Sequence, residues 1–321
     1  MPNRRSSRRA GPSHSPGSAS SSAGAAHPRS RPTRRGRQRA EPAEGSFEID
    51  GGVADLIPDD ERQRGWTVAI NGVPSSHVDL DDPTRLDFEY MQWTGRILDV
   101  FAADGAPIDA VHVGGAGCTL PLYIAATRPG SRQLVFEVDA GMVALARSAF
   151  GLRGVAGLRL KTGDGRAGLS GLADDDADII IRDAFSDRVR ADDPSADDDT
   201  DAPKARVPAH LSTVGWCQEV ARVLRGDGIY VANVADSARV RESRVEAASA
   251  LEVFRHVALV AEPAQLRGRR YGNVLVVASQ AELPAEALIR RLAGGAVRAR
   301  YVEPPRVREL VAGVRPRHDS E

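Results

Sequence analysis

The chain has 321 residues, 41% of them apolar, a formal net charge of −1 and two cysteines, Cys118 and Cys217. This composition suits one large or two small soluble domains, and two distant cysteines outside any C-x-x-C spacing exclude a disulfide framework and a cysteine zinc site. No apolar run approaches the ~18 residues of a membrane span and no apolar segment follows the basic start, so the expectation is a cytoplasmic protein that neither crosses a membrane nor is exported.

The charge is unevenly spread. The first forty positions hold ten arginines and no acidic residue, which leaves the remainder with a net charge of about −11. An acidic body disfavours nucleic acid and suits a cationic small-molecule partner. Residues 1–45 mix Arg, Ser, Pro and Gly without periodicity and cannot bury enough surface to offset the entropy of ordering. They are expected to form a disordered tail, whose contact with nucleic acid or anionic lipid would be weak and electrostatic.

Residues 46–104 read as a small N-terminal unit. FEIDGG and WTVAINGVPSSHVDL have the look of strands, and the Asn71-Gly72 pair favours the positive φ angles of a tight hairpin. TRLDFEYMQWTGRILDVF then places Leu86, Tyr90, Trp93, Ile97 and Val100 at helical spacing, with Pro83 as a start signal. Residues 105–300 alternate short β-branched runs with helical patterns, which predicts a Rossmann-like α/β domain with a mostly parallel, seven-stranded sheet. Its strands are expected at 109–113, 132–138, 157–162, 177–183, 228–234, 256–262 and 271–279. Helices are expected near 118–128, 140–150, 165–172, 210–225, 238–254 and 284–293. Positions 184–207 form an aspartate-rich stretch without pattern, expected to be a lid loop, and 301–321 reads as a C-terminal tail.

The chemistry gathers at predicted strand ends. The first strand closes in VHVGGAGCTLP, where Gly114, Gly115 and Gly117 allow a sharp turn and the close approach of a ligand. Glu137 ends the second strand, where a carboxylate can accept both hydroxyls of a ribose. Asp139 is placed to cap the next helix. After the third strand, Asp164 and Gly165 stand where an acid can accept a hydrogen bond from an adenine amine or simply cap a helix. Leu120 occupies the third glycine position of G-x-G-x-x-G, which favours a single nucleoside over a dinucleotide. Asp183 ends the fourth strand and is the first candidate for catalysis, with Asp187 a weaker substrate-side candidate. There is no metal-ligand spacing, P-loop lysine or Ser/His/Asp order, and His77 and His210 have no evident partner.

From about Trp66 to Ser279 these residues resemble the spermidine synthase family of polyamine aminopropyltransferases. INGVPSSHVDLDDPTRLDFEYM is similar to that family's N-terminal strand and first helix, VHVGGAGC to its GGGDGG turn, and FEVD to its ribose-binding strand. TGDGR resembles its adenine-side segment, IIIRDAFSD its D-S-x-D-P strand end, and PAHLSTVGWCQEVARVLRGDGIYVAN the segment after the gatekeeping loop. The resemblance implies a class I methyltransferase-type fold and a dimer or tetramer. As co-substrate it implies S-adenosylmethionine or its decarboxylated form, with no metal, and as acceptor a polyamine. It also implies that Glu137 binds ribose, Asp164 and Gly165 lie against adenine, Asp183 orients or deprotonates the attacking amine, and Tyr90 lines the polyamine side. Three positions depart from the pattern. Ser75 stands for the family's strand glutamine, Met91 follows the helix tyrosine, and Gly117 replaces the aspartate that grips the aminopropyl ammonium. A methyltransferase with another acceptor and a non-catalytic nucleoside-binding protein are the alternatives on the same scaffold.

Overall fold

The computed structural model describes residues 42–115, 117–185, 206–237, 239–294 and 297–319. The tail expected over 1–45 falls almost wholly outside these residues, as do Asp187 and most of the aspartate-rich stretch.

Four antiparallel strands come first: β1 (Gly45–Ile49), β2 (Gly52–Pro58), β3 (Gly65–Ile70) and β4 (Val73–Asp79). Gly45, read from the sequence as the end of the tail, already belongs to β1. Asn71 and Gly72 join β3 to β4 with φ of 50° and 77°, the doubly left-handed turn that an Asn-Gly pair favours. The Asn71 side chain also accepts from the Val53 amide at 3.0 Å and so fastens the neighbouring hairpin. Helix α1 (Glu89–Phe101) begins later than Pro83 predicts. Asp82 accepts from the Thr84 amide at 3.2 Å and the Arg85 amide bonds back to its carbonyl at 3.0 Å, so Pro83 sits inside a turn instead of opening the helix.

The α/β part follows as β5 (Asp109–Val113), α2 (Thr119–Thr127), β6 (Arg132–Glu137), α3 (Ala140–Ala149), β7 (Leu158–Thr162), α4 (Gly165–Ser170) and β8 (Ala177–Arg182). It continues through α5 (Val214–Val223), β9 (Leu224–Asp236), α6 (Arg241–Leu251), β10 (His256–Ala261), α7 (Pro263–Leu266), β11 (Gly272–Ser279) and α8 (Ala285–Ala293). The chain then adds β12 (Arg300–Val302) and α9 (Pro304–Leu310). These last two correct the reading of 301–321 as a tail. Three residues are too few to show a strand period, and the Pro304-Pro305 pair starts the helix, because a proline at the first helical turn has no amide to lose.

Among the described residues the large sheet therefore has eight strands instead of the expected seven, in the order β12-β10-β11-β9-β8-β5-β6-β7. Strands β7, β6, β5, β8 and β9 run parallel; β11, β10 and β12 then add by successive antiparallel pairings, so that β10 runs with the parallel set and β11 and β12 against it. Its central strands read as continuous apolar runs because helices cover both faces: Ile179, Ile180 and Ile181 of β8 are all buried. One face packs against Trp216, Val220 and Ala247 of α5 and α6, the other against Trp93, Ile97 and Ile124 of α1 and α2. A third apolar cluster joins Leu56, Trp66 and Val68 of the small sheet to Met142 and Ala146 of α3. This is the strand order and direction of a class I methyltransferase-type fold. Chain order reverses between β5 and β8, and open α/β sheets bind ligands at the carboxyl ends of the strands flanking such a reversal. Among the described residues no helix is long and apolar enough to cross a membrane.

Candidate functional site

Backbone hydrogen bonds lace the four strand tips together at that edge. The Asp183 amide bonds to the Val113 carbonyl, the Gly114 amide to the Phe136 carbonyl and the Gly163 amide to the Glu137 carbonyl, each at 2.8 Å. Asp183, Gly114, Glu137 and Asp164 thus follow one another along a single rim.

The glycine turn is shaped by what surrounds it. Gly114 has φ of 81°, and a Cβ there would lie 2.3 Å from the Asp183 carbonyl oxygen. A Cβ on Gly115 would meet Val135 at 3.1 Å, and one on Gly165 would stand 2.2 Å from Val113, so α4 rests directly on β5. Gly117 faces the small sheet: its amide donates to Ser76 Oγ at 3.0 Å, and a Cβ would stand 2.6 Å from that oxygen. Thr119 Oγ1 donates to the His77 carbonyl at 2.7 Å, so β4 buttresses the turn at two points. Gly117→Asp, which restores the acid of the resembled motif, is expected to destabilise the fold by about 1–3 kcal/mol through overpacking, read as a lower urea midpoint. Cys118 completes the turn with φ of 59°, and burial pushes its thiol up to about 12, which keeps it protonated and unreactive.

Asp183 is the most elaborately held acid at the edge. Tyr90 donates its hydroxyl to Oδ2 at 3.1 Å, and Asn233 donates Nδ2 to Oδ1 at 2.9 Å. Asn273 fixes the Asn233 amide in turn, donating to its Oδ1 at 2.9 Å. Burial holds the Asp183 carboxyl above the ordinary carboxylate range, and the hydrogen bonds from Asn233 and Tyr90 and the charge of Arg182 only partly offset it. Burial, then the nearby carboxylate, pushes the Tyr90 phenol well above its usual value, so it remains a donor. Of the departures from the resembled motif, Met91 is buried in the core and Ser75 meets Tyr90 only through its carbonyl, at 3.5 Å.

On the other side of the turn Glu137 Oε1 accepts the Asp139 amide at 3.1 Å. Asp139 caps α3 through the Met142 amide at 2.7 Å and also accepts the Gly51 amide at 2.6 Å, which pins the β1–β2 turn to the rim. Val138 between them is 70% exposed, an apolar side chain presented beside Glu137. Asp164 caps α4 through the Ala167 amide at 2.9 Å, and its second oxygen lies 2.7 Å from His210 Nε2. Burial raises its carboxyl, but the Ala167 amide and His210 outweigh that and leave it below the usual range.

Several of these contacts were not visible in the sequence. His210 and His77 both have carboxylate partners, Asp164 and Asp59, brought by distant segments. Asn233 had a signal, since a polar residue in the apolar run GIYVANV invites a role. Arg182 had none. Its guanidinium is fully buried, pairs with Glu246 at 2.8 Å, and donates to the Asn233 carbonyl at 2.9 Å and the Leu211 carbonyl at 3.2 Å. One side chain thereby holds the backbone of the residue that grips Asp183 and of the residue beside His210. The last turns of the chain brace the same segment: the Arg317 carbonyl accepts the Val214 amide at 2.8 Å, and Asp319 accepts from Thr213 at 2.8 Å and from Arg166 at 2.7 Å.

The sheet and its acid-lined edge define a Rossmann-like, methyltransferase-type α/β protein, and known structures narrow the class. A probable spermidine synthase from Corynebacterium glutamicum ATCC 13032 is 34% identical, over 87% of this chain and 98% of that one, with a TM-score of 0.77. The chain belongs to the spermidine synthase family. The fold is shared more widely. The spermidine synthase from Thermotoga maritima matches 84% of this chain and 87% of its own at 14% identity and a TM-score of 0.55. A spermidine synthase in complex with the transition state analogue AdoDATO matches 79% and 80% at 15% identity and a TM-score of 0.53. No protein-family model and no curated protein matches the chain.

Proposed function

We propose that the chain is a spermidine synthase-like transferase that binds decarboxylated S-adenosylmethionine and moves its aminopropyl group to a polyamine. The observation that carries this reading is Asp183: a carboxylate at the sheet's switch point, raised by burial and aimed by Tyr90 and Asn233. An alkylamine with a pKa near 10 is only about 0.1% neutral at pH 7, so an attacking amine needs a base at its nitrogen. Asp183 takes that proton. The nitrogen lone pair forms the C–N bond, the C–S electrons return to the sulfonium, and methylthioadenosine leaves as a neutral thioether. Holding amine and carbon in line supplies much of the rest of the acceleration.

The donor lies along the rim. Glu137 accepts the ribose hydroxyls, exposed Val138 offers apolar surface to the base, and Asp164 and Gly165 border its amine edge, with the glycine turn beneath. Tyr90 faces the acceptor. Glu137→Gln is expected to weaken nucleoside binding about 10–100-fold by calorimetry, since a charge-assisted hydrogen bond contributes about 1.5–3 kcal/mol.

A second reading has its own support. Gly117 has no room for an acid, with Ser76 Oγ 2.6 Å from its would-be Cβ, so the turn offers an aminopropyl ammonium no counter-charge there. That favours S-adenosylmethionine itself and methyl transfer. Incubation with each sulfonium donor and putrescine or spermidine, read by mass spectrometry, separates them. Methylthioadenosine supports the first reading, S-adenosylhomocysteine the second, and binding without either product leaves a non-catalytic nucleoside-binding protein.

A further inference from the structure

Away from the strand tips, three separate segments of the small unit bring Asp59, His77 and Asp87 together, one ligand atom from each lying within 4.8 Å of the others. His77, on β4, is only 2% exposed. Its Nε2 lies 2.9 Å from Asp59 Oδ2, and its Nδ1 faces Asp87 Oδ2 at 4.0 Å. The remaining carboxylate oxygens are engaged: Asp59 Oδ1 accepts the Glu61 amide at 2.8 Å, and Asp87 Oδ1 accepts from Arg85 Nε at 2.9 Å.

A carboxylate that accepts from Nε2–H fixes the imidazole tautomer and leaves a bare lone pair on Nδ1. That nitrogen is buried without a hydrogen-bond partner. It therefore faces another acceptor, Asp87 Oδ2, across a gap of 4.0 Å. The gap is too long for a hydrogen bond even if Nδ1 carried a proton. An ion with bonds of about 2.0–2.2 Å to nitrogen and to carboxylate oxygen would reach both atoms only near a straight line at that separation, so a tetrahedral angle requires the partly exposed Asp87 carboxylate to close in by about half an ångström. The surrounding charge tolerates one: Asp79, also on β4, has a buried oxygen without a hydrogen-bond partner, and Arg62, at 3.9 Å from it, and Arg85 provide the nearby opposite charge.

We propose that this trio is a divalent transition-metal site of the zinc class, with His77 Nδ1 and Asp87 Oδ2 as ligands, water completing the shell, and Asp59 holding the imidazole from outside. The ion joins β4 to the residues leading into α1. Asp87 stands three residues before Tyr90, and the His77 carbonyl holds Thr119, so the same brace steadies the Asp183 partner and the glycine turn.

The test is calorimetric titration of chelator-stripped, full-length protein with Zn²⁺, and with Mg²⁺ as a hard-cation control, alongside Asp87→Asn and His77→Gln. Glutamine keeps an N–H for Asp59 but loses the Nδ1 lone pair. Asp87 is partly exposed, so Asp87→Asn tests the site even where His77→Gln disturbs folding. A single saturable Zn²⁺ equivalent, weakened about tenfold or more in each folded variant, is the expected result. No saturable binding, equally tight binding to Asp87→Asn, or a preference for Mg²⁺ over Zn²⁺ overturns the proposal.

Discussion

Asp183→Asn is expected to lower kcat/KM by about 10²–10⁴-fold while donor affinity stays within about threefold. The asparagine fits the same contacts, its oxygen accepting from Asn233 and its amide donating to the Tyr90 hydroxyl, so lost activity reports the missing base and not a disturbed site. Equal loss of turnover and donor affinity would demote Asp183 to a structural acid. The acid limb of the pH–rate profile should follow the carboxyl: activity falls as pH drops through its raised value, because a protonated base accepts nothing. Stability moves the opposite way. The folded chain binds this proton more tightly than the unfolded chain, whose aspartate titrates near ~3.9. The protein therefore loses stability as pH rises from that value through the raised folded one, and an uncharged asparagine escapes the loss. At pH 8 the variant's Tm should be equal to or above that of the parent, which is the signature of a group kept for chemistry at the fold's expense.

Arg182→Met should destabilise the fold by about 3–5 kcal/mol, because Glu246 is left charged and buried without its partner. For a domain of this size that is a fall in Tm of roughly 10 °C. The deficit depends on pH in a definite sense. Burial already raises Glu246 and Arg182 restrains it, so removing Arg182 lifts the carboxyl further. Folding then favours the protonated form, and the penalty grows as pH rises from the unfolded glutamate value of about 4.3 through the new folded one. Denaturant midpoints at pH 5 and pH 8 should therefore differ more in the variant than in the parent. Arg182→Met with Glu246→Leu replaces the pair with apolar volume and should recover most of the stability. It should not recover the full rate, since the Asn233 and Leu211 carbonyls still lack their donor. Full recovery of kcat in the double variant would show that Arg182 is structural alone.

Much of the sheet was legible because its strands are short β-branched runs separated by helical patterns, a local property. ADIIIRD and YGNVLVVAS could hardly be anything but buried strands, and the observed β8 and β11 start and stop within a residue of those runs. The rim was legible for a topological reason. Once strands run parallel, residues at their carboxyl ends share an edge however far apart they lie in sequence, so Gly114, Glu137, Asp164 and Asp183 assemble without any contact having to be foreseen. What escaped notice was whatever depends on two distant side chains meeting. Arg182 reads as an ordinary strand-end cation until Glu246 is seen 64 positions later beneath it. His77 shows no partner in the sequence because Asp59 and Asp87 arrive from different turns. β12 was too short to show a period, and it pairs antiparallel with the outer edge of β10.

The segment between Asp183 and Pro208 is attached at both ends to parts of the molecule that do not depend on it. Its near stem is held by β5, Tyr90 and Asn233. Its far stem is held by Arg182, Arg166 and the closing turns of the chain. Such an attachment lets the intervening stretch lengthen, shorten or change composition over evolutionary time while the carboxylate stays where it is.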